Sequence, residues 1–446
     1  MKQRENWTSN LGFVLAAAGS AIGLGNIWRF PFMVGTNGGA AFFLVYAVAI
    51  LIIGFPVLVA EMSIGRTTQR NPVGAFKELA PDNTPWFIVG GMGVLAGFLI
   101  LSYYSVVAGW SMSYIFKALS GFEAGTDFAA MFSQHTTGIA IPIFWHAAFM
   151  AITISIIRLG VVDGIQKATK ILMPVLLGIL VILIVRSVTL EGAMEGLSFY
   201  LKPDFSKITV QTITDALGQA FFTLSLGMGA MLTYGSYLSK DENITDNAIY
   251  VIVFNTAIAI MAGFSIFPAV FALDYSPSAG AGLTFITLPG VFANMPFGTI
   301  FGVLFFILLT IAALTSAISL LEVVVAYFVD EKDMERKKAS TIMGIIIFIV
   351  GIPTILGFSS WSGFSFLGMD IFGTYDWVAN NILLPGGGLL LSIFAGYVWG
   401  SDKLNEEAND SNSLVKIGTK YNFVLKYIVP IVIGFIMILN IVKSVG

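Results

Sequence analysis

The chain has 446 residues, of which 57% are hydrophobic and 11% are charged, far below the roughly 25% charged residues of soluble domains. This composition excludes a soluble protein, and the absence of cysteine excludes disulfides, thiol catalysis and cysteine-bound metals. Two histidines are too few for a histidine-built metal site, and a net charge of −3 gives no reason to expect a nucleic-acid partner.

Apolar segments of about 20 residues, long enough to cross ~30 Å of hydrocarbon, recur along the whole chain. They predict an all-α integral membrane protein with eleven transmembrane helices, at 10–36, 40–64, 88–117, 139–158, 165–187, 213–238, 246–273, 297–328, 339–357, 374–400 and 422–442. The first segment is too long for a signal peptide and contains Asn26 and Arg29, so we expect it to be retained. Lys and Arg concentrate in alternate loops, which predicts a cytoplasmic N-terminus in a plasma or inner membrane.

Two predicted spans are interrupted by glycine and polar residues at corresponding places. Span 1 contains GSAIGLGN at 19–26, and span 6 contains SLGMG at 225–229. Five spans separate the breaks, and an odd number turns the second half upside down, so we predict two inverted repeats whose breaks meet near the membrane mid-plane. The predicted divisions are 1–9 (cytoplasmic segment), 10–187 (spans 1–5), 188–212 (extracellular loop), 213–400 (spans 6–10, with a partly helical extracellular lid at 274–296), 401–421 (cytoplasmic loop) and 422–446 (span 11).

The break in span 1 predicts a binding site. Each of its three glycines costs about 1 kcal/mol relative to alanine inside a helix, so the helix is expected to open there. Freed carbonyls would bind a cation, and amides near Leu24 and Gly25, at the positive end of the following half-helix, would bind a carboxylate. Close helix packing is the alternative for glycines alone, but Asn26 and Arg29 in the same segment favour a site.

Oxygen-bearing residues in other spans are candidate cation ligands. One set shares a face of span 8: Ala312, Thr315 and Ser316. A second set lies in spans 1, 6 and 7: Asn26, Thr223 and Asn255. Hard cations prefer such oxygen ligands. The alternatives are hydrogen bonds of the hydroxyls to their own helix and ordinary bonds between helices.

Charged residues at the ends of spans predict gates, because charge inside a membrane is costly. Arg29 and Asp376 suit a gate above the substrate, whereas Glu61, near the inner end of span 2, is interpreted as structural. The candidates for an inner lock are Arg4, Trp7, Asp330, Ser236 and Tyr237, with a solvated charged surface as the alternative.

Span 5 contains Gly164 and Pro174, ten residues apart. Proline has no amide hydrogen, so the carbonyl one turn before Pro174 lacks its helical partner. We therefore predict that the inner end of this helix can unwind and admit water toward a cation site.

These motifs, in order and spacing along the whole chain, resemble those of the neurotransmitter:sodium symporters, in particular the eleven-span bacterial members. The motifs are GSAIGLGNIWRFP followed by NGGAAF, the SLGMG break, LTSA in span 8 and Gly164-x9-Pro174. The resemblance implies a transporter, not an enzyme, that imports an amino acid together with sodium by alternating access. It also names the cation, which the residues alone leave unspecified.

The resemblance further implies the residues of the site. Sodium site one would comprise the Ala21 carbonyl, Asn26, Thr223, Asn255 and the substrate carboxylate. Sodium site two would comprise the carbonyls of Gly19, Ile22 and Ala312 and the hydroxyls of Thr315 and Ser316. The implied substrate pocket is Ser20, Ala21, Leu24, Gly25, Ile100, Tyr104, Phe222, Thr223, Ser225, Met228, Ala317 and Leu320. Tyr104 would bind the carboxylate, Phe222 would close over the substrate, and the gates would pair Arg29 with Asp376 and Arg4 with Asp330.

Two positions depart from the bacterial leucine transporter of this family, which has Phe in place of Met228 and Asn in place of Ser20. Because methionine is flexible and polarizable, we expect a hydrophobic amino acid, aliphatic or aromatic, with bulky side chains tolerated. Proton coupling, or a channel or sensor with similar cation sites, are the alternatives. The sequence leaves the oligomeric state open.

Chloride dependence also stays open. Tyr46, Gln219, Thr223 and Asn255 match the chloride-binding set of chloride-dependent members, but the fifth position is Ala259. Chloride-dependent members have Ser there, and chloride-independent ones have Glu.

Overall fold

The computed structural model describes residues 5–277, 282–409 and 413–445, which form helices and connecting turns with no β-strand among them. The helices are α1 (Asn10–Ala21), α2 (Gly25–Thr36), α3 (Ala40–Thr68), α4 (Pro72–Leu79), α5 (Phe87–Leu119), α6 (Phe128–Thr137), α7 (Ala140–Arg158), α8 (Val161–Val188), α9 (Ala193–Leu201), α10 (Val210–Thr223), α11 (Ala230–Gly235), α12 (Ile244–Ala272), α13 (Leu283–Asn294), α14 (Gly298–Lys332), α15 (Arg336–Gly357), α16 (Ile371–Val398), α17 (Ser401–Ala408) and α18 (Thr419–Ser444).

Nine helices in the described part of the chain are long and apolar enough to cross a membrane. The pair α1 and α2, bent by 50° at its break, brings the number to ten. The remaining predicted span, 213–238, is divided into α10 and α11, of 14 and 6 residues. The all-helical membrane fold with a broken first helix is confirmed. The count of eleven and the inverted symmetry stay predictions, because neither half of the divided span can cross a membrane alone.

The first break follows from the loss of helical geometry at Ile22 (φ −87°, ψ 86°), whose amide makes the last bond of α1, to the Ala18 carbonyl. The chain resumes a helical path at α2, which begins with a π-helical turn at Gly25–Arg29. A π-helical turn is wider than an α-helical one and is common at functional sites. The predicted opening of the first span therefore lies where its glycines cluster.

The second break, between α10 and α11, needs three residues with positive φ: Ser225 (54°), Gly227 (75°) and Gly229 (72°). Glycine adopts this conformation without steric cost, which explains the GMG part of the motif. The amide of Gly227 donates a hydrogen bond to Glu61 Oε1 at 2.7 Å. Glu61 is completely buried and holds a freed backbone group of the break, as expected of a structural residue.

The two breaks lie near the middle of the bundle, beside α5 and α14. In α14, 78% of the most apolar 18-residue segment is buried inside the protein, compared with 22% of the corresponding segment of α18. α14 is therefore central, and α18 presents most of its apolar surface outward to the membrane.

Short helices form in two segments that were predicted to be loops. α17 lies in the predicted cytoplasmic loop 401–421, and α9 lies in the predicted extracellular loop 188–212. The amphipathic spacing of α17 explains its folding, because Leu404 and Ala408 share a face and are buried. The predicted lid contains α13, while its residues 278–281 lie outside the described residues.

Candidate functional site

A small cavity of about 20 Å³ lies between the two breaks. Its wall consists of Ser20, Ala21, Gly23, Gly25, Ile100, Tyr104, Phe222, Thr223, Ser225, Met228, Ser316, Ser319 and Leu320. All predicted pocket residues except Leu24 and Ala317 line it. Ala317 follows Ser316 on α14 and is turned by about 100° around the helix, away from the wall. Gly23, Ser316 and Ser319 were not predicted as pocket residues. Ser316 was predicted as a cation ligand, and Ser319 lies one turn after it, so helical spacing would have found it.

One end of the cavity presents hydrogen-bonding groups from the break in the first span and from α5. The amide of Leu24 donates a hydrogen bond to Tyr104 Oη at 3.1 Å, and Gly25 begins α2 beside it. Leu24 thus takes part through its backbone, while its side chain is buried outside the cavity. A hydroxyl and the amides at a helix start are groups that bind a carboxylate.

Gly23 permits the close approach of these groups. A Cβ atom at this position would overlap Ser316 Oγ and lie 2.8 Å from Tyr104 Oη. We predict that Gly23→Ala lowers substrate affinity at least tenfold, because Tyr104 and Ser316 must move away from the backbone. Equilibrium binding of labelled substrate to the purified protein measures the effect.

Gly178→Ala is the matched control, because nothing lies within 4 Å of the added Cβ atom. Substrate affinity in Gly178→Ala should equal that of the unmodified protein. Equal affinities of Gly23→Ala and Gly178→Ala would show that Gly23 does not shape the site.

The candidate cation ligands Asn26, Thr223 and Asn255 come together as a buried cluster. Thr223 Oγ1 lies 2.7 Å from Asn26 Oδ1 and 3.0 Å from Asn255 Oδ1. Asn26 Nδ2 donates to Asn255 Oδ1 at 2.9 Å, and Asn255 Nδ2 donates to Tyr46 Oη at 3.2 Å. Neutral side-chain oxygens from α2, α10 and α12 therefore converge beside the cavity.

The candidate ligands of span 8 come together around Thr315 on α14. Thr315 Oγ1 lies 3.0 Å from the Ala312 carbonyl oxygen and 3.4 Å from that of Ile22. Gly19 adjoins it, since a Cβ atom there would lie 3.4 Å from Thr315 Cβ. Ser316 Oγ bonds instead to the Ser20 carbonyl at 2.9 Å, so in this structure Ser316 faces the cavity.

The predicted gate residues Arg29 and Asp376 lie in one cluster but are linked through a third residue. Arg29 Nη1 lies 3.5 Å from Asn380 Oδ1, and Asn380 Nδ2 donates to Asp376 Oδ1 at 2.7 Å. Tyr103 Oη also donates to Asp376 Oδ1, at 3.1 Å. The guanidinium of Arg29 stands 4.9 Å from the centre of the Phe222 ring. A larger vestibule, with a volume of about 270 Å³, adjoins Arg29 and Asp376.

The face of the bundle near the N-terminus, here called the N-terminal face, is closed by packing around Trp7. The Trp7 indole donates to the Tyr234 carbonyl at 3.0 Å, and its backbone amide donates to the Tyr237 carbonyl at 3.1 Å. The Asp330 carboxylate accepts a hydrogen bond from the Asn71 amide at 2.8 Å. Arg4, the predicted partner of Asp330, lies outside the described residues.

A buried ion pair on the same face was not predicted. Glu322, fully buried on α14, accepts hydrogen bonds from Nη1 and Nη2 of Arg336 at the start of α15, the first at 3.0 Å. Tyr237 Oη donates to Glu322 Oε1, and Arg336 Nε donates to the Ile157 carbonyl at 3.0 Å. The pair therefore ties four segments of the bundle together. Glu322 could have been predicted as a site residue, because an acidic side chain inside an apolar span is costly unless it has a partner.

Gly164 and Pro174, predicted to mark a helix that unwinds, lie in α8. Gly164 belongs to a π-helical turn at Val161–Gln166, and Pro174 lies within the regular helix that follows. Gln166 accepts a hydrogen bond from the Thr8 amide at 3.0 Å, which joins this turn to the N-terminal segment. Unwinding of α8 stays a prediction.

Comparison with known proteins decides the family. The sequence profile of the sodium:neurotransmitter symporter family matches residues 4–127 and 138–445. The chain belongs to the sodium:neurotransmitter symporter family. An uncharacterized sodium-dependent transporter of Bacillus subtilis is 42% identical over 98% of this chain and 97% of its own length. GABA transporter 2 of the mouse, a sodium- and chloride-dependent protein, is 26% identical over 92% of this chain and 75% of its own length.

A solved structure extends the comparison to the fold. The crystal structure of MhsT in complex with L-phenylalanine superimposes with a TM-score of 0.90 and 46% identity, covering 100% of both chains. The symporter described here is therefore a multi-pass membrane transporter that uses sodium, and not an enzyme, as its motifs predicted.

Proposed function

We propose that this symporter imports a hydrophobic L-amino acid, aliphatic or aromatic, together with sodium across the cell membrane. The observation that carries the proposal is the cavity between the two breaks. It has a hydroxyl and backbone amides at one end and apolar side chains along its wall, and two clusters of neutral oxygen atoms lie beside it.

The carboxylate of the substrate would lie between Tyr104 and the amides of Leu24 and Gly25. The positive end of the α2 dipole favours an anion there. Asn26, Thr223 and Asn255, with the Ala21 carbonyl, would hold the first sodium ion next to that carboxylate. Because the fixed ligands are neutral, the substrate supplies the negative charge, so substrate and sodium bind together.

A second sodium ion would lie among the carbonyls of Gly19, Ile22 and Ala312 and the hydroxyl of Thr315. Thr315 already lies within 3.4 Å of two of those carbonyls. Ser316 would complete the set by rotating its hydroxyl from the Ser20 carbonyl. This ion contacts no substrate atom, so its release can be coupled to opening of the N-terminal face.

The side chain of the substrate would contact Ile100, Phe222, Met228 and Leu320. All four line the cavity, and the flexible, polarizable side chain of Met228 would adapt to different shapes. The bound L-phenylalanine in the similar MhsT structure supports a bulky hydrophobic substrate.

Transport would proceed by alternating access. Arg29, Asn380 and Asp376 would close above the bound substrate, with Phe222 beneath Arg29. The contacts of Trp7 and of the Glu322–Arg336 pair would then break, and the π-helical turn of α8 would unwind. Concentration of Lys and Arg in alternate loops supports a cytoplasmic N-terminal face.

Uptake into proteoliposomes tests the proposal. A panel of labelled amino acids is presented with sodium, chloride and pH varied separately. Accumulation inside the vesicles is measured with an inwardly directed sodium gradient. We expect saturable, concentrative uptake of hydrophobic amino acids that requires sodium. A preference for glycine or charged amino acids, or uptake driven by a proton gradient without sodium, would contradict the proposal. A channel would fail to concentrate any solute.

Varying chloride in the same experiment tests whether transport depends on chloride although the fifth position is Ala259. Gln219 Nε2 donates to the Gly25 carbonyl at 2.7 Å, and its Oε1 atom is buried with no bond among the described residues. Tyr46, Thr223 and Asn255 adjoin one another, as a chloride site requires. Replacing chloride with gluconate at constant sodium shows whether these residues suffice without a polar fifth position.

A further inference from the structure

A pair of buried serine residues forms part of the cavity wall, one of them a helical turn along α14 from Ser316. We propose that their hydroxyls, on Ser20 and Ser319, recognise a hydrogen-bond donor on the side chain of the substrate. Tyrosine and tryptophan would then be preferred to phenylalanine. This inference rests on the proposed function and specifies its substrate class.

The position of the pair follows from the direction of α14. Ser316 lies at the carboxylate end of the cavity, since Gly23 brings both Ser316 Oγ and Tyr104 Oη against the same backbone atom. Ser319 lies one turn further along α14, about 4.5 Å toward the N-terminal face. Leu320 and Met228 flank it in the cavity wall. A substrate whose carboxylate lies at Tyr104 would thus direct its side chain toward this end.

The hydrogen bonds within the cluster leave acceptors, and no donors, for a ligand. Ser319 Oγ donates to the Ser316 carbonyl at 2.8 Å, and Ser225 Oγ donates to the Ser20 carbonyl at 3.0 Å. Ser20 Oγ donates its one proton within the cluster, where Ser319 Oγ lies at 2.7 Å and Ser225 Oγ at 3.2 Å. Each hydroxyl has a single proton, and all three protons are used by the protein. Lone pairs on Ser20 Oγ therefore face the cavity without a donor from this cluster.

Burial makes those lone pairs selective. Ser20, Ser225 and Ser319 are 2%, 5% and 1% exposed. A phenol O–H or an indole N–H would supply the missing donor, whereas phenylalanine would not. A side-chain carboxylate would place acceptor against acceptor and be rejected. A net hydrogen bond changes affinity by about three- to tenfold.

Isosteric substrates test the inference on the unmodified protein. Competition against sodium-dependent uptake of labelled phenylalanine is measured for two matched pairs: tyrosine with 4-fluorophenylalanine, and tryptophan with 3-benzothienylalanine. The members of each pair have nearly the same shape, and only the first can donate a hydrogen bond. We expect the donor to compete about three- to tenfold better in at least one pair. Equal competition within both pairs would overturn the inference.

A substitution locates the acceptor. Ser319→Ala removes the shorter of the two hydrogen bonds that orient Ser20, and we expect it to lower the donor-to-isostere ratio. Thr310→Val is the matched control, since Thr310 lies on the same helix and its hydroxyl donates to the Phe306 carbonyl of its own turn. The control should keep the ratio of the unmodified protein. An unchanged ratio in Ser319→Ala would also overturn the inference.

Failure here is distinguishable from failure of the proposed function. If no hydrophobic amino acid is taken up with sodium, the proposed function is wrong, and the inference falls with it. If uptake is sodium-dependent but the donor and its isostere compete equally, only the role of Ser20 and Ser319 is wrong. Should Ser319→Ala fail to fold, the isostere pairs decide the question alone.

Discussion

Thr315→Val is expected to lower the apparent sodium affinity of transport at least tenfold and to abolish uptake at moderate sodium concentrations. Valine keeps the size and branching of threonine, so the change removes one oxygen ligand and leaves the packing of α14 in place. Thr315 is 1% exposed, and its hydroxyl lies 3.0 Å from the Ala312 carbonyl and 3.4 Å from the Ile22 carbonyl. Hydrogen-bond-type contacts to charged groups contribute about 1.5–3 kcal/mol, which corresponds to roughly ten- to 150-fold in affinity.

Sodium titrations of uptake and of substrate binding separate this effect from general damage. Saturating sodium should restore part of the substrate binding in Thr315→Val, because the substrate contacts at Tyr104 are intact. Thr310→Val serves as the control on the same helix and should leave the sodium dependence unchanged. Uptake by Thr315→Val with normal sodium affinity would remove Thr315 from the proposed second site.

The sequence predicted the parts of the site that backbone chemistry determines. Clusters of glycine disfavour helix within an apolar span, so the break at Gly19–Gly25 was visible without a structure. The helical spacing of Ala312 and Thr315 likewise placed them on one face. The structure brings these residues together, but their roles as ligands of sodium stay predictions.

Contacts between distant segments could not be predicted in the same way. Asn380 links Arg29 to Asp376, yet an asparagine one turn after an aspartate carries no signal for such a bridge. Glu322 was not predicted as a site residue, because residue spacing does not show that Arg336 lies against it. The orientation of Ser316 toward the Ser20 carbonyl depends on how the first break lies against α14, which residue spacing does not specify.

Arg336→Gln is expected to open the N-terminal face. Removing one partner of a buried ion pair costs about 3–5 kcal/mol, because the remaining charge stays buried without compensation. Glu322 is fully buried and, among the residues that the structure describes, would retain Tyr237 as its side-chain partner. Movement of α11 or of the Trp7 segment would admit water to the carboxylate, so open conformations should be favoured and the thermal stability of the closed form should fall.

Cysteine labelling measures this opening directly, because the natural chain has no cysteine. Ser236, next to Tyr237, is fully buried, and Ser236→Cys places a thiol where only opening of the N-terminal face exposes it. We expect Arg336→Gln to raise the labelling rate at least tenfold, whereas Lys337→Gln, an exposed neighbour, should not change it.

The double variant Glu322→Gln with Arg336→Gln distinguishes charge from packing. It removes both charges, so it should label more slowly than Arg336→Gln alone if an uncompensated carboxylate drives the opening. Equal rates in the two variants would mean that the opening results from lost packing of the arginine side chain. A labelling rate in Arg336→Gln that equals the parent rate would show that the pair does not hold this face closed. The Glu322–Arg336 pair would then be a structural contact that persists while the face opens.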